Sequence, residues 1–127
     1  MATIDLNFNK KLFNPLFWEL QEDLKNPDIR LILVYGGSSA SKTYTIAQSM
    51  LIELLNGKNT MILRKYSTDI KDSIYSDFKQ IIETWDINSF IKTQQNIIKL
   101  SDNNYIRFRG LDDSEKIKGL SSFTYLW

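Results

Sequence analysis

Cysteine and histidine are both absent from the 127 residues. Disulfides, thiolate nucleophiles, imidazole bases and most zinc sites are thereby excluded together, and the lack of cysteine fits a reducing compartment. Net charge is nearly absent as well. Sixteen Lys and Arg against 15 Asp and Glu leave +1, so no global field draws the chain to nucleic acid or to a membrane, and any basic surface must be local. No apolar run approaches membrane-spanning length, and the N-terminus, with Asp5 and scattered asparagines, is no signal peptide. What remains is 43% hydrophobic and 24% charged, the balance of a globular chain long enough to bury a core. These features predict one soluble, intracellular domain or part of one.

The most informative stretch is Leu31-Ile32-Leu33-Val34-Tyr35-Gly36-Gly37-Ser38-Ser39-Ala40-Ser41-Lys42-Thr43. A nearly unbroken apolar run ends in small residues and then Lys-Thr, after which apolar side chains return at helical spacing. That order predicts a buried parallel strand, a tight backbone loop and a helix start near Ser41. The loop fits the Walker A template G-x-x-x-x-G-K-[ST] at Gly36, Lys42 and Thr43, with Ser41 where the second glycine belongs. Phosphate binding requires small residues here, because successive backbone N–H groups must converge on oxygens. In this reading Gly36, Gly37, Ser38, Ser39, Ala40 and Ser41 cradle phosphates. Lys42 brings a positive charge to the β and γ phosphates of ATP, and Thr43 brings a hydroxyl to Mg²⁺. A Gly/Ser-rich turn joining a strand to a helix is the plainer alternative.

Residues 1–30 read as a lead segment with a short amphipathic helix entered at Asn14-Pro15 and closed by Asn26-Pro27-Asp28. Phe17, Leu20 and Leu24 recur at helical spacing. Either this helix simply packs on the sheet edge, or Phe13, Phe17 or Trp18 stacks on an adenine ring whose edge Gln21 reads. From Lys42 to Leu55 a one-sided apolar stripe predicts a helix against a sheet, stopped by Asn56-Gly57. Met61-Ile62-Leu63 predicts a second buried strand and so a right-handed parallel crossover. Ser67 or Thr68 is placed to cap a third helix with Ile70, Ile74, Phe78, Ile81, Ile82 and Trp85 inward. Its acids Asp69, Asp72, Asp77 and Glu83 read as a solvated face. Alternation on both sides of Asp102-Asn103-Asn104 predicts a hairpin, with Ile106 and Phe108 on one face and Arg107 and Arg109 on the other. The two arginines either contact DNA or protect a strand edge. Ser121 to Trp127 reads as the start of a further strand.

Residues 35–44 resemble the Walker A region of the large terminase subunits of tailed bacteriophages, in which Ser or Ala before the lysine is tolerated. Asn14-Pro15-Leu16-Phe17, the strand end Leu63-Arg64-Lys65, and Arg107-Phe108-Arg109-Gly110-Leu111-Asp112-Asp113 followed by Ser114-Glu115-Lys116-Ile117-Lys118-Gly119 carry the same resemblance. It implies an α/β, P-loop NTPase-type three-layer fold with a mainly parallel sheet plus an added β-hairpin. Residues 31–127 would form part of the ATPase domain, ending before the Walker B acids and without the nuclease domain. The chain would then be the truncated N-terminal portion of a motor that binds Mg-ATP and powers packaging of viral DNA into procapsids. A noncatalytic nucleotide-binding remnant, an interaction fragment and another P-loop NTPase are the alternatives. In the full-length family the implied partners are double-stranded DNA, the portal protein and the small terminase subunit, with a homo-oligomeric ring and no membrane, in the host cytoplasm. Many relatives carry a loop arginine where this chain has Ser38 or Ser39. Lys118 stands near the position from which some terminases direct an arginine finger at a neighbouring subunit, though a lysine lacks the planar fork.

Overall fold

The structure, a computed structural model, describes residues 13, 15–34, 40–64, 74–94, 96–111 and 122–127. Helix α1 (Pro15–Lys25) starts on the expected proline, whose missing N–H costs nothing at a first turn. It closes at Asn26, whose side-chain oxygen accepts from the Asp28 backbone N–H at 3.0 Å. Helix α2 (Ala40–Leu55) ends where Asn56-Gly57 predicted. Gly57 has φ +89°, and its N–H donates to the Leu54 carbonyl at 3.0 Å while that of Lys58 donates to Glu53 at 2.8 Å. This is the paired closure that a left-handed residue permits, and glycine adopts it without strain. Helix α3 (Tyr75–Thr84) follows strand β1 (Thr60–Arg64). Strands β2 (Lys92–Gln94), β3 (Ile97–Ser101), β4 (Asn104–Gly110) and β5 (Tyr125–Leu126) complete the described elements.

The five strands form one sheet in the order β2-β3-β4-β1-β5. Strand β1 pairs in parallel with β4 (Thr60 opposite Ile106) and with β5 (Thr60 opposite Tyr125). Strands β2 with β3, and β3 with β4, are antiparallel. The sheet is therefore evenly mixed rather than mainly parallel, because the hairpin was joined by a further short strand, β2. Residues at matching register share a face. Thr60, Ile62, Ile98, Ile106 and Phe108 are all fully buried on one face. Against it lie Ala47, Met50, Leu51 and Leu54 of α2 and Phe78, Ile81 and Ile82 of α3, with Phe17 of α1 in the same core. Phe108 meets Phe78 and Tyr75 edge-on at 5.5 and 5.4 Å. All three helices thus feed one core on one side of the sheet, and a third layer is not found among the described residues.

The expected buried strand at 31–35 is not observed. Residues 31–34 carry no strand pairing, and Leu31 and Leu33 are 76% and 75% exposed; Tyr35 lies outside the described residues. Leu31, Ile32 and Val34 instead line a cavity of about 420 Å³ together with Tyr125, Leu126 and Trp127. An apolar run is buried on both faces only when a neighbouring strand and two covering layers exist. Strand β5, which lines the same cavity, has a register with β1 of only two residues and does not pair with the run. The cap at Ser67 or Thr68 and the acids Asp69 and Asp72 lie outside the described residues. Glu83 is exposed as expected, whereas Asp77 is half-buried.

Asn59 gathers the amino ends of the strands. Its amide donates to the carbonyls of Asn103 at 3.0 Å and Ser122 at 3.4 Å, and its side-chain oxygen accepts from the Tyr105 N–H at 3.0 Å. Its backbone carbonyl accepts from Thr124 and Tyr125 at 2.8 and 3.1 Å. Asn59→Ala is expected to lower stability by about 1–3 kcal/mol, since the Tyr105 N–H loses its acceptor; urea denaturation measures it. Beside this, the Tyr125 hydroxyl donates to a carboxylate oxygen of the buried Glu53 at 3.3 Å. Burial, reinforced by the Glu53 charge, pushes the Tyr125 phenol up to about 12. A raised native pKa means that the folded chain holds the proton more tightly than the unfolded one. The associated stability is complete below about pH 10, the ordinary tyrosine value, and is lost as pH rises through about 12. Wild type is therefore expected to lose denaturation free energy more steeply between these pH values than Tyr125→Phe.

Candidate functional site

The direction of α2 fixes where its first turn sits. Near its C-terminal end the Leu54 carbonyl accepts from the Asn104 amide at 2.8 Å, Glu53 accepts from Tyr125, and the Met50 sulfur lies 3.4 Å from the Thr60 hydroxyl. Asn104, Tyr125 and Thr60 are the first residues of β4, β5 and β1. The helix therefore runs antiparallel to these strands, and its N-terminus points toward their carboxyl ends. Twelve residues of helix from Leu54 back to Lys42 cover about 18 Å, and the five residues of β1 about 13 Å. Lys42 and Thr43 thus reach the carboxyl edge of the parallel strands, where open α/β sheets bind ligands. Both are half-buried. The first-turn N–H groups and the helix dipole favour an anion at this point. Ala40 and Ser41 are described only as helix backbone, and residues 36–39 lie outside the described residues.

Arg64, at the end of β1, stands at the same edge. Its guanidinium lies 5.5 Å from the centre of the Trp127 ring, and its backbone carbonyl accepts from Leu111 at 2.7 Å. The Arg64 Nε is buried without a hydrogen-bond partner. Asp77 on α3 faces it electrostatically: burial pushes the Asp77 carboxyl up, and the Arg64 charge pulls it partly back. Among the described residues no group of three acids, histidines or cysteines is placed to hold a metal. Of the motif-matched residues, Thr43 is the one whose hydroxyl suits Mg²⁺.

On α1 the aromatic residues divide. Phe17 is 4% exposed and packs on Phe13 at 4.2 Å, whereas Trp18 is 46% exposed and meets Phe17 edge-on at 4.9 Å. Gln21 is buried, with its Nε2 unpartnered, and lines a cavity of about 350 Å³ together with Phe13, Phe17, Trp18, Glu22, Lys25 and Ile52. Ile52 is ten residues along α2 from Lys42, about 15 Å by helical rise. Phe17 and Gln21 are therefore brought together with each other, but at a distance from the first turn of α2.

Residues 29–127 match the model of the family described as phage terminase large subunit. The chain belongs to the phage terminase large-subunit family. The PBSX phage terminase large subunit of Bacillus subtilis (strain 168) is 26% identical over 95 residues, covering 72% of this chain and 22% of that protein. The terminase large subunit of Bacillus phage SPP1 is 24% identical over 114 residues, covering 87% of this chain and 27% of that protein. The chain thus spans about a quarter of the length of these relatives. No solved structure matches it.

Within this terminase chain, Lys118 and the acids Asp112, Asp113 and Glu115 lie outside the described residues. Arg107 and Arg109 share a face, as alternation predicted, but β4 is an interior strand flanked by β3 and β1. Protection of a strand edge therefore does not account for them. Arg107 lies over the Tyr105 ring at 5.2 Å, and Arg109 donates to the Phe108 carbonyl at 3.3 Å. Arg64 and Trp127 are the edge residues that periodicity did not single out; only the position of Arg64 at a strand end signalled it. No helix among the described residues is long and apolar enough to cross a membrane. Because the Gln21 donor is buried without an acceptor, Gln21→Met is expected to leave the nucleotide-free protein as stable as wild type or more stable by about 1 kcal/mol. Thermal melting measures this, and clear destabilisation would show that the amide is already satisfied.

Proposed function

We propose that this chain is the nucleotide-binding part of an ATP-driven DNA-packaging motor, built on a P-loop-type fold. The observation that carries the reading is the placement of Lys42 and Thr43. They occupy the first turn of the helix whose N-terminus reaches the carboxyl edge of the parallel strands, at Walker A spacing from Gly36. The Lys42 ammonium would pair with β and γ phosphate oxygens, and the N–H groups of the turn would take the remaining ones. Thr43 would hold Mg²⁺, which when bound supplies positive charge between the β and γ phosphates. Membership of the terminase large-subunit family favours this over an unrelated P-loop enzyme.

The base has a separate candidate position in the cavity beside Gln21 and Trp18. An amide and an aromatic plate suit a purine, though about 15 Å of helix separates Ile52 from Lys42. In the whole protein the reading extends to double-stranded DNA as substrate, to a portal and a small subunit as partners, and to a ring of copies. Hydrolysis further requires an acid on the metal and a carboxylate that orients water. None of the acids in these 127 residues matches those motif positions.

Lys42→Ala is expected to abolish Mg-ATP binding in calorimetry while leaving the far-UV circular dichroism unchanged. Equal affinity in wild type and variant would overturn the assignment. Phosphate release by the purified 127-residue chain is expected to fall short of ordinary ATPase rates by about 10²–10⁴-fold, the contribution of a positioned base. Turnover at ordinary rates that disappears in Lys42→Ala would show that the acids are supplied from within it.

A further inference from the structure

We propose that the face of the sheet opposite the three helices, over β2, β3 and β4, binds the phosphate backbone of a nucleic-acid double helix. The inference rests on the DNA part of the reading above and names a surface for it. It begins from the register. Lys92 stands opposite Lys99, Lys99 opposite Tyr105, and Ile97 opposite Arg107. Residues at matching register, and those two apart on one strand, share a face. Lys92, Lys99, Arg107 and Arg109 therefore all lie on the side away from the core that Ile98, Ile106 and Phe108 enter. Lys92 and Lys99 are about 5 Å apart across the strands, and Arg107 and Arg109 about 7 Å apart along β4. In a chain whose net charge is only +1, four cations on three adjacent strands are a local concentration.

These strands carry no acid on that side. Beside the cations, their far-face positions hold Gln94, Ile97 and Tyr105. The acid at hand is Asp102 in the hairpin turn, whose carboxylate accepts from the Lys99 Nζ at 2.8 Å. The hydrogen bond and charge of Lys99, and more weakly the charge of Lys92, hold its carboxyl below the usual range. Asp102 is exposed, and an exposed pair of this kind contributes little, so it gives way to a phosphate. Like charges directly opposite on a sheet are destabilising. Lys92 and Lys99 are so placed, and one carboxylate for the two leaves a surplus of positive charge that an anion relieves.

The form of the patch selects the kind of anion. Lys92 is exposed, while Lys99, Arg107 and Arg109 are half-buried, as long stems are when they lie along a sheet and carry charge outward. Binding of single strands relies on open aromatic plates on which bases stack. The Tyr105 ring does not offer one, because Arg107 lies over it at 5.2 Å and Phe123 meets it edge-on at 5.6 Å. Phosphate contacts need only charge, and they position a duplex without reading its sequence. A double helix carries one charge per about 1.7 Å of its axis, so a patch spread over three strands meets several phosphates at once.

Fluorescence anisotropy of a labelled DNA duplex titrated with the full 127-residue chain tests this, at about 50 to 200 mM salt. Counting Lys92, Lys99 and Arg107, wild type is expected to lose affinity about 40-fold over that range, a log–log slope of about −2.7. Arg109, which donates to the Phe108 carbonyl, is left out of the count. Lys92→Gln and Arg107→Gln are each expected to flatten the slope by about 1. Arg107→Lys keeps the charge and is expected to keep the slope. Lys79→Gln, an exposed position of α3 on the other side of the sheet, is expected to leave it unchanged. Lys92 is exposed, so its variant decides the matter even where Arg107→Gln fails to fold. A slope unaffected by Lys92→Gln, an equal flattening by Lys79→Gln, or tighter binding of the single strand than of the duplex would overturn the proposal. Absence of salt-dependent binding by wild type would overturn it alone, since the nucleotide reading is tested separately by Mg-ATP calorimetry on Lys42→Ala.

Discussion

One side chain sets the frame on which the carboxyl edge depends. Asn59 holds β4 through Tyr105 and β5 through its own carbonyl, immediately before β1 begins. Three parallel strands therefore start at a common level. With their starting level fixed, the positions of Arg64, Gly110 and Trp127 follow from strand rise alone. Helix α2 is tied to the same level by the contacts of Leu54, Glu53 and Met50. The distance by which its first turn overhangs the strands is thus a consequence of polar contacts made at the opposite end of the sheet.

Much of this was legible in the sequence where one principle acted alone. The stripe from Ile46 to Leu55 and the Asn56-Gly57 stop gave α2, because amphipathic period and left-handed closure agree there. Alternation about Asp102-Asn103 gave the β3–β4 hairpin and the opposed faces of Phe108 and Arg107. Reading failed where a partner was needed. The apolar run at 31–34 has the composition of a buried strand, but burial depends on what lies beside it, and composition does not reveal that. Strand β2 consists of the exposed residues Lys92, Thr93 and Gln94 and carries no hydrophobic signal. Its existence follows from β3 offering an unpaired edge. The site divides in the same way. Lys42 and Thr43 are read from spacing, whereas the contact of Arg64 with Trp127 shows only once β5 is seen to pair with β1.

This chain matches only about a quarter of the length of either relative, and the geometry here bears on only that part. That part holds a coherent set of groups: a helix start, a lysine, a hydroxyl and an arginine at one edge of a sheet. The first three come from one stretch at the start of α2 and the arginine from the end of β1, and the packing of α2 along the strands sets them at the same edge. The cavity on α1, with its unsatisfied Gln21 amide, is built independently by aromatic packing among Phe13, Phe17 and Trp18.

The network at Asn59 also bears on how the chain assembles. Asn59 and Tyr105 are 46 residues apart, whereas the β3–β4 hairpin closes between Ser101 and Asn104. Closing a short loop costs far less chain entropy than closing a long one. The hairpin can therefore form on its own local contacts, while the β1–β4 pairing must wait for a wide loop to close around α3. Asn59 then acts as the clasp of that loop. Its hydrogen bonds form only once the two halves of the sheet have met, and on unfolding their release sets the halves apart.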